Sequence, residues 1–417
     1  MPVVPSRAAT RSASPRWTRD GWLLTVCASR AATQLVFLIY PAAVTVLRPA
    51  WQMSAAAAGS ISTGFQLGFA VSLFGCSWLA DRIGARRVYL ASLVAAAVAA
   101  TAFALFARSY RSGLVLYTLV ALTLGGTYTT LIMLIADRYE PARRGGAMGW
   151  LIAASSLGSA VSLASAGVTL PRGGYPLAFA VASGGVVTGA VLGWLAMRGV
   201  PNVVHRRGTH LRFRQDVGRN PAAVRLIAGY VFHSWELLAM WAWTPAFLAA
   251  SLAATGASAG RALAGASYVA AGFHLIGLLA SATMGRLSDR LGRRTVLVWL
   301  AGASAACSLV IGWLVAAPPA VVVGVGALYA FTALGDSPVL SVALTEAVPP
   351  AFLGTTLALR SLLGFGAGAV APLVFGVVLD ATNPPGIPVV WGWAYTALGA
   401  GGVLATACAL SLKREHA

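Results

Sequence analysis

Apolar stretches of roughly 20 residues recur along nearly the whole chain, and each can cross a hydrocarbon core of about 30 Å as a helix. Hydrophobic residues make up 58% of the sequence and charged residues 10%, whereas a soluble domain carries about 25% charged residues. A chain this apolar would aggregate in water. The sequence therefore predicts an all-α protein that folds in a lipid bilayer.

Gly, Pro and Arg interrupt the apolar sequence often enough to divide it into twelve predicted spans. The first six lie near residues 21–47, 54–79, 87–107, 112–136, 146–169 and 176–198. The second six lie near residues 223–252, 262–284, 295–316, 319–345, 352–378 and 388–412. We therefore expect two six-helix bundles, at 21–198 and 223–412.

The basic residues outside the spans are divided unevenly between the two sides of the membrane. With a cytoplasmic N-terminus, 23 of them fall on the cytoplasmic side and five on the other. The five are Arg48, Arg108, Arg111, Arg172 and Arg261. Because Lys and Arg concentrate in cytoplasmic loops, we expect cytoplasmic tails at 1–20 and 413–417 and a basic cytoplasmic linker at 199–222.

The net charge of +19 would suggest nucleic-acid binding in a soluble protein. Here the charges lie between apolar runs and form no single surface stripe, so we expect no nucleic-acid partner. The four cysteines fall inside predicted spans without CxxC spacing, which argues against a zinc site. We expect no metal and no cofactor.

One short motif occurs twice. The segment WLADRIGARR returns as RLSDRLGRR, which places Asp81 and Asp289 208 residues apart, half the length of the chain. A weaker echo pairs PARRG from Pro141 with PAFLG from Pro350. Both copies of the first motif follow an even-numbered span, so the two halves are predicted to be parallel repeats of six helices.

These segments resemble the loop between the second and third helices of the major facilitator superfamily, whose pattern is G-x-L-x-D-R-x-G-R-R. The second copy matches at Gly285, Leu287, Asp289, Arg290, Gly292, Arg293 and Arg294. The first copy matches at Leu79, Asp81, Arg82, Gly84 and Arg86, and departs from the pattern at Ser77 and Ala85. The resemblance covers the whole chain and implies twelve transmembrane helices in two pseudo-symmetric six-helix bundles, and the function of a secondary transporter.

We interpret the motif residues as a conformational latch. An Asp at a helix end, beside a glycine turn and two or three arginines, can form charge-assisted hydrogen bonds to a neighbouring helix and favour one conformer. The latch residues are Asp81, Arg82, Gly84, Arg86, Gly285, Asp289, Arg290, Gly292, Arg293 and Arg294. The alternative is that each arginine only helps to set the topology.

Two features that the superfamily's proton-coupled drug exporters usually share are missing. The resemblance places an arginine in the fourth helix of those exporters, where this chain has Ala121. It also places a Gly-Pro-rich stretch in the fifth helix, where the predicted span 146–169 has no proline. Export of drug-like compounds is therefore the alternative and not the leading hypothesis.

A charge at the bilayer centre costs at least about 2.5 to 3.5 kcal/mol, so ionisable residues within spans point to a transport path. Six lie within predicted spans: Arg30, His233, Glu236, His274, Asp336 and Arg360. None lies in the third, sixth, ninth or twelfth span, and the resemblance implies that those four are peripheral. The other spans are then expected to line a central cavity.

Arg30 and Gln34 lie four residues apart on one helix face, as do His233 and Glu236 at three residues. Subtracting the repeat of 208 residues places Glu236 near the height of Arg30. We expect Arg30 and Gln34 to bind an anion, and Glu236, with His233, to exchange a proton opposite them. The alternative is a permanent ion pair between Arg30 and Glu236.

Asp336 and Arg360 are expected at one depth on adjacent helices, where a structural salt bridge is the simplest interpretation. The alternatives are a proton role for Asp336 and, for Arg360, a second arm of an anion clamp. His274 is the repeat equivalent of Gln66, so both halves present a polar group that could contact a solute. A hydrogen-bonded core histidine is the alternative for His274.

Together these observations predict a secondary transporter, and no enzyme, that moves a small anionic solute by alternating access with protons as the coupling ion. The sequence contains no GxxxxGK[ST] motif for ATP, so the energy must come from ion gradients. The expected location is a bacterial inner membrane, with the protein as a monomer. The alternative from a different functional class is a membrane sensor on a transporter-like scaffold, which would need an effector domain.

Overall fold

The computed structural model describes residues 20–204, 219–348, 353–384 and 389–413. Most of the predicted linker, including Arg206, Arg207, Arg212 and Arg214, lies outside the described residues, as do both terminal tails except Asp20 and Lys413. Pro350 of the weaker repeat also lies outside them. The described part is helical throughout, and its helices follow the predicted spans closely.

Twelve helices carry the fold. In chain order, α1 to α6 are Gly21–Thr33, Ile39–Ala50, Ala55–Ile83, Ala85–Phe106, Tyr110–Arg138 and Pro141–Ala196. Helices α7 to α12 are Pro221–Ala254, Ala259–Leu291, Arg293–Ile311, Pro319–Ala347, Leu353–Thr382 and Gly392–Leu410.

The first predicted span is broken rather than continuous. A short 3₁₀ turn, Gln34–Val36, separates α1 from α2, and Leu38 leaves helical geometry with φ −114° and ψ 3°. Together the two pieces cross the membrane once.

Helix α6 contains the predicted fifth and sixth spans. Its 56 residues far exceed the about 20 needed for one crossing. The helical geometry is lost at Gly173 and Gly174, and Gly174 has φ +62°, which a side chain would disfavour. With α1 and α2 counted as one span and α6 as two, the described helices make the predicted twelve spans.

The turns at Gly84 and Gly292 lie on the same face of the molecule as the start of α1, which we call the motif face. Both glycines have positive φ, of 94° and 84°, and each joins two helices without an intervening loop. At the same face, the Asp20 carboxylate caps α1 by accepting from the amides of Trp22 and Leu23.

The buried apolar residues form three clusters that reveal how the halves meet. One cluster uses α1, α4, α5 and α6 near the motif face and belongs to the first half only. A second uses α7, α9, α10 and α12 near the motif face and belongs to the second half only. The third and largest combines residues of both halves toward the opposite face. The halves are therefore joined at the opposite face and have separate cores near the motif face.

Helices α3 and α11 make the closest contact between the halves. A Cβ at Gly59 would collide with the carbonyl of Pro372, and one at Gly376 with the carbonyl of Ala55. The two backbones can approach this closely only because glycine has no side chain. Helices α6 and α8 make a second contact, where Tyr268 packs over Gly167.

Candidate solute cavity and buried charges

A cavity of about 210 Å³ lies between the two halves. The first half supplies its polar groups from α1, α3, α5 and α6, and α7 and α11 close its other side. The lining residues include Arg30, Gln34, Gln66, Tyr128, Ser155, Ser156 and Ser159, with Phe37, Phe69, Trp241 and Phe365 as aromatic walls.

Arg30 is the cation of this cavity and is only 4% exposed. Its Nε donates to Ser155 Oγ at 2.8 Å, and its guanidinium carbon lies 4.9 Å from the centre of the Tyr128 ring. Within the described residues, its terminal NH1 has no hydrogen-bond partner. One edge of the guanidinium is therefore held by the protein, while NH1 is buried and unpaired in a residue that lines the cavity.

The structure brings three of the predicted solute-binding residues together, because Arg30, Gln34 and Gln66 all line the cavity. Gln34 sits in the 3₁₀ turn, and among the described residues its Oε1 has no hydrogen-bond partner. The serines of α6 were not predicted. The run AASSLGS in the fifth span could have indicated them, because repeated hydroxyl groups in an apolar helix favour a face that lines a polar cavity.

Arg360 lies outside the lining of this cavity but near it. Its guanidinium carbon stacks 4.1 Å from the centre of the Tyr230 ring, and its NH1 donates to Ser341 Oγ at 2.8 Å. Within the described residues the Nε of Arg360 has no hydrogen-bond partner.

The predicted salt bridge between Asp336 and Arg360 is wrong. Arg360 instead bonds Ser341, which is five residues from Asp336 on α10 and therefore about 140° further around a helix with 3.6 residues per turn. Equal depth on adjacent helices did not mean that the two side chains face each other.

Asp336 pairs with His233 instead. Its Oδ1 lies 2.9 Å from His233 Nδ1, and the Oγ of the next residue, Ser337, lies 2.9 Å from His233 Nε2. The side chains of His233 and Asp336 are 3% and 5% exposed. Ser337 bonds Nε2, and Asp336 Oδ1 lies against Nδ1 without hydrogen-bond geometry, so two neighbouring residues of α10 flank the ring.

Glu236 was predicted to face Arg30 across the cavity, and the structure places it elsewhere. Its carboxylate points into the second half, where it meets Ser304, Ser308 and Tyr329. The repeat equivalent of Glu236 is Ala28, two positions before Arg30, and two positions correspond to about 200° around a helix. The two side chains therefore point to opposite sides of their helices, Arg30 to the cavity and Glu236 into the second half.

His274 also lies away from the cavity lining. It packs against Trp241 with 5.0 Å between ring centres and borders a separate small cavity with Phe273 and Leu334. Trp241 borders both cavities, so it stands between His274 and the space near Arg30. The predicted equivalence of Gln66 and His274 holds for sequence position but not for solute access.

In the second motif copy, Arg293 links two helix ends. It contacts Asp289 at 2.5 Å and bonds Glu346 through two nitrogens, at 2.8 and 3.2 Å. Its NH1 also reaches the carbonyl of Gly285. Sequence reasoning did not find Glu346, because an acid at a helix end carries no signal of its own. Arg290 lies exposed in the last turn of α8.

Arg86 and Arg294 are repeat equivalents and make equivalent bonds. Arg86 donates to the carbonyl of Met197 at 3.1 Å, and Arg294 donates to the carbonyls of Leu412 and Leu410 at 3.0 and 3.1 Å. Each therefore binds the C-terminal end of the last helix in its own half, where helix carbonyls favour a cation. Arg82 stacks over Trp78 at 3.6 Å.

The sequence of residues 23–265 matches the family model described as Major Facilitator Superfamily, and residues 258–409 match the model described as Sugar (and other) transporter. The first match alone covers more than half of the chain. The chain therefore belongs to the Major Facilitator Superfamily and is a multi-pass membrane transporter. No curated protein sequence matches it.

Three solved transporters are similar in fold. A D-xylose–proton symporter has a TM-score of 0.76 at 16% identity, over 93% of this chain and 96% of its own. The nucleoside transporter NupG has a TM-score of 0.73 at 13% identity, over 94% and 100%. A bacterial homolog of the human lysosomal transporter Spinster, inward-facing and occupied, has a TM-score of 0.73 at 17% identity, over 94% and 95%. At these identities the similarity establishes the fold alone.

Proposed function

We propose that the protein is a secondary active transporter that moves a small organic anion by alternating access, with protons as the coupling ion. The observation that carries this proposal is the buried guanidinium of Arg30. Its NH1 has no partner among the described residues, and none of the side chains that line the cavity is a carboxylate. The cavity thus presents positive charge without a protein group to neutralise it.

An anionic solute would supply the missing charge. A buried ion is costly unless it is paired, and a carboxylate or phosphate oxygen is the partner that a guanidinium binds most strongly. Gln34, Gln66 and the serines of α6 then provide neutral hydrogen bonds around the same point. Arg360, whose Nε has no hydrogen-bond partner within the described residues, supplies the second arm of a clamp when the halves move.

The aromatic walls favour an organic anion over an inorganic oxyanion. Phe37 and Phe69 pack edge to face at 5.1 Å, and Phe69 continues to Phe365 at 6.4 Å. An apolar or aromatic body beside the anionic group would bury these faces, whereas inorganic phosphate would leave them in water.

We assign the motif face to the cytoplasm, in line with the basic residues of that side. The two halves are joined at the opposite face, so the state described here is closed to the outside. The latch residues then act on the inner side, and each copy ties helix ends within its own half. A bacterial inner membrane and a monomer remain part of the proposal.

Proton coupling is supported by two buried acids of the second half. Asp336 with His233, and Glu236 among hydroxyls, lie deep in the spans, where a charge is expensive and a proton can remove it. The similar D-xylose transporter is itself named as a proton symporter.

Transport by reconstituted protein tests the proposal. Proteoliposomes would be supplied with labelled monocarboxylates, labelled phosphate and neutral sugars, with and without an imposed pH gradient. We expect carboxylates to accumulate only when the pH gradient is present. Accumulation should fall at least about tenfold in Arg30→Lys, which keeps the positive charge but loses the paired N–H groups of the guanidinium. Arg261→Lys, at an exposed position in the first turn of α8, is the matched control. Transport of neutral sugars alone would contradict the proposal.

A further inference from the structure

Glu236 occupies a polar pocket that is separate from the solute cavity. It is 3% exposed and meets the hydroxyls of Ser304 and Ser308 on α9 and of Tyr329 on α10. On α12 the position that faces its Oε2 is Gly402, where a Cβ would lie only 2.8 Å from that oxygen. Four helices of the second half thus enclose one carboxyl group.

Two of the three hydroxyls around Glu236 direct their protons away from it. Tyr329 donates its proton to Ser308 Oγ at 3.1 Å, and Ser308 donates its own to the carbonyl of Tyr395 at 3.1 Å. Both protons are therefore used elsewhere. The Oε1 of Glu236 and the Oγ of Ser304 have no hydrogen-bond partner within the described residues.

An ionised carboxylate would be poorly accommodated in this pocket. Its titratable neighbours are Tyr329, Cys307 and Asp336, each of them neutral or acidic, and within the described residues it forms no salt bridge. A bound proton changes the situation, because a carboxylic acid can donate to the lone pairs of Tyr329 or Ser304. The pocket is built for the protonated form of Glu236.

Part of the interior between this pocket and the motif face is empty. A small cavity of about 10 Å³, room for about one water molecule, is lined by Arg225, Ala301, Asp336, Ala405 and Cys408. Ala301 lies one turn nearer the motif face than Ala305, and Ala405 lies one turn nearer than Gly402. Since Gly402 and Ala305 pack where Glu236 points, the cavity, Asp336 and Glu236 follow one another through the interior of the second half.

We propose that Glu236 is the site where the coupling proton is stored, and that it fills from the motif face through the interior of the second half by way of Asp336, without entering the solute cavity. This inference rests on the proposed function in one respect, namely that the stored proton drives transport. A proton from water in the small cavity binds the Asp336 carboxylate and then passes to the Glu236 carboxylate, which leaves Asp336 ionised again. His233 holds Asp336 in place between transfers.

The site can be tested without a solute. Infrared difference spectra of the full-length protein in lipid nanodiscs, recorded across a pH titration, should contain the C=O stretching band of a buried protonated carboxyl. We expect Glu236→Gln to lose this band and Arg30→Lys to keep it. A titrating band that persists in Glu236→Gln would overturn the proposal, and so would a band that responds to Na⁺ in place of choline at constant pH, since that result would indicate a sodium site.

The route can be tested by filling the small cavity. Ala405→Phe should slow the growth of the Glu236 band after a pH jump by at least tenfold, and Ala301→Leu offers a milder filling if Ala405→Phe misfolds. Val403→Phe places the same side chain two positions away at an exposed site and should leave the rate unchanged. Unchanged rates in both filled variants would mean that protons reach Glu236 by another path.

These measurements separate the inference from the proposed function. If the band titrates and depends on Glu236, but no carboxylate is transported, the proton site stands and the solute class is wrong. If carboxylates accumulate with the pH gradient in Glu236→Gln as in the parent protein, the proton site is wrong while the proposed function stands.

Discussion

The Asp380 carboxylate accepts hydrogen bonds from the backbone amides of Ala55 and Ala56, at 2.8 and 2.7 Å. Asp380 is near the end of α11 and Ala55 begins α3, so this contact joins the two halves at the face opposite the motif. The amides at a helix N-terminus carry partial positive charge, which favours an anion there. Arg48 adds a weaker contact at 3.9 Å.

We predict that Asp380→Ala will weaken closure at the opposite face. Two charge-assisted bonds are lost, each worth about 1.5 to 3 kcal/mol when buried, but Asp380 is one third exposed, so water will offset part of the loss. A shift of about tenfold toward the outward-open state, equal to about 1.4 kcal/mol, is expected in distances between spin labels placed on both halves.

Thr382→Ala is the control for Asp380→Ala. Thr382 donates to the carbonyl of Val378 in its own helix and accepts from the side chain of the adjacent Asn383. Neither bond reaches the other half, so its loss should leave the distance distribution unchanged. If Asp380→Ala likewise gave the parent distribution, Asp380 would have no role in closing this face.

The pairing of His233 with Asp336 predicts a specific pattern of coupling energies. Residues in direct contact give non-additive stability effects of about 0.5 to 3 kcal/mol, whereas residues that share no contact add within about 0.3 to 0.5 kcal/mol. Thermal unfolding of the single and double variants should show coupling between His233→Gln and Asp336→Asn. Asp336→Asn and Arg360→Gln should be additive, and strong coupling between those two would restore the salt bridge expected from the sequence.

The second motif copy should influence rates more than stability. Asp289 and Glu346 are 59% and 52% exposed, and exposed ion pairs contribute about 0 to 1 kcal/mol. We expect Glu346→Gln and Asp289→Asn to insert and fold normally but to slow conformational exchange, by up to about fivefold for such an energy. Arg290→Gln, on the exposed last turn of α8, is the control. If both acid variants exchanged conformations as fast as the parent protein, the latch interpretation would be wrong.

Asp20 gives a pH-dependent contribution at the motif face. Partial burial raises the pKa of its carboxyl, but hydrogen bonds from Tyr139, Leu23 and Trp22 and the charge of Arg138 outweigh burial, so the pKa lies below its ordinary value of 3.8. The bonded form is the ionised one. Its stabilisation is therefore present above the ordinary pKa and is lost as pH falls through the lowered value.

The melting temperature should therefore decrease less steeply in Asp20→Asn than in the parent protein as the pH is lowered from about 5. Asn retains the cap oxygen, so the melting temperature near neutral pH should change little. An identical acid dependence in the two proteins would show that this carboxyl does not contribute.

The helices could be predicted because a span has to be long and apolar, and those properties are readable along the chain. The break at Leu38 could not be predicted, since no glycine or proline precedes it within the 3₁₀ turn at Gln34–Val36. Between the fifth and sixth spans the sequence predicted a boundary, and the structure has a kink at Gly173 and Gly174 within one long helix. The repeat predicted the heights of Arg30 and Glu236 in the spans but not the directions of their side chains. A helix that is apolar all round carries no pattern that tells which side faces the cavity.

The same limit explains the buried pairs. Asp336, His233 and Arg360 were identified as intramembrane charges, because charge in an apolar run is conspicuous. Which of them touch depends on rotations of about 100° per residue, which depth alone does not provide.

The most direct test of the account is the binding of a matched acid and amide, such as benzoate and benzamide, to the purified protein. The two ligands have nearly the same shape and differ in charge, so Arg30 should discriminate between them through a charge-assisted bond of about 1.5 to 3 kcal/mol. The account predicts that a carboxylate of the transported class binds at least about tenfold more tightly than its amide, and that Arg30→Gln abolishes the difference. Equal binding of acid and amide to the parent protein, or a preference that survives in Arg30→Gln, would contradict it.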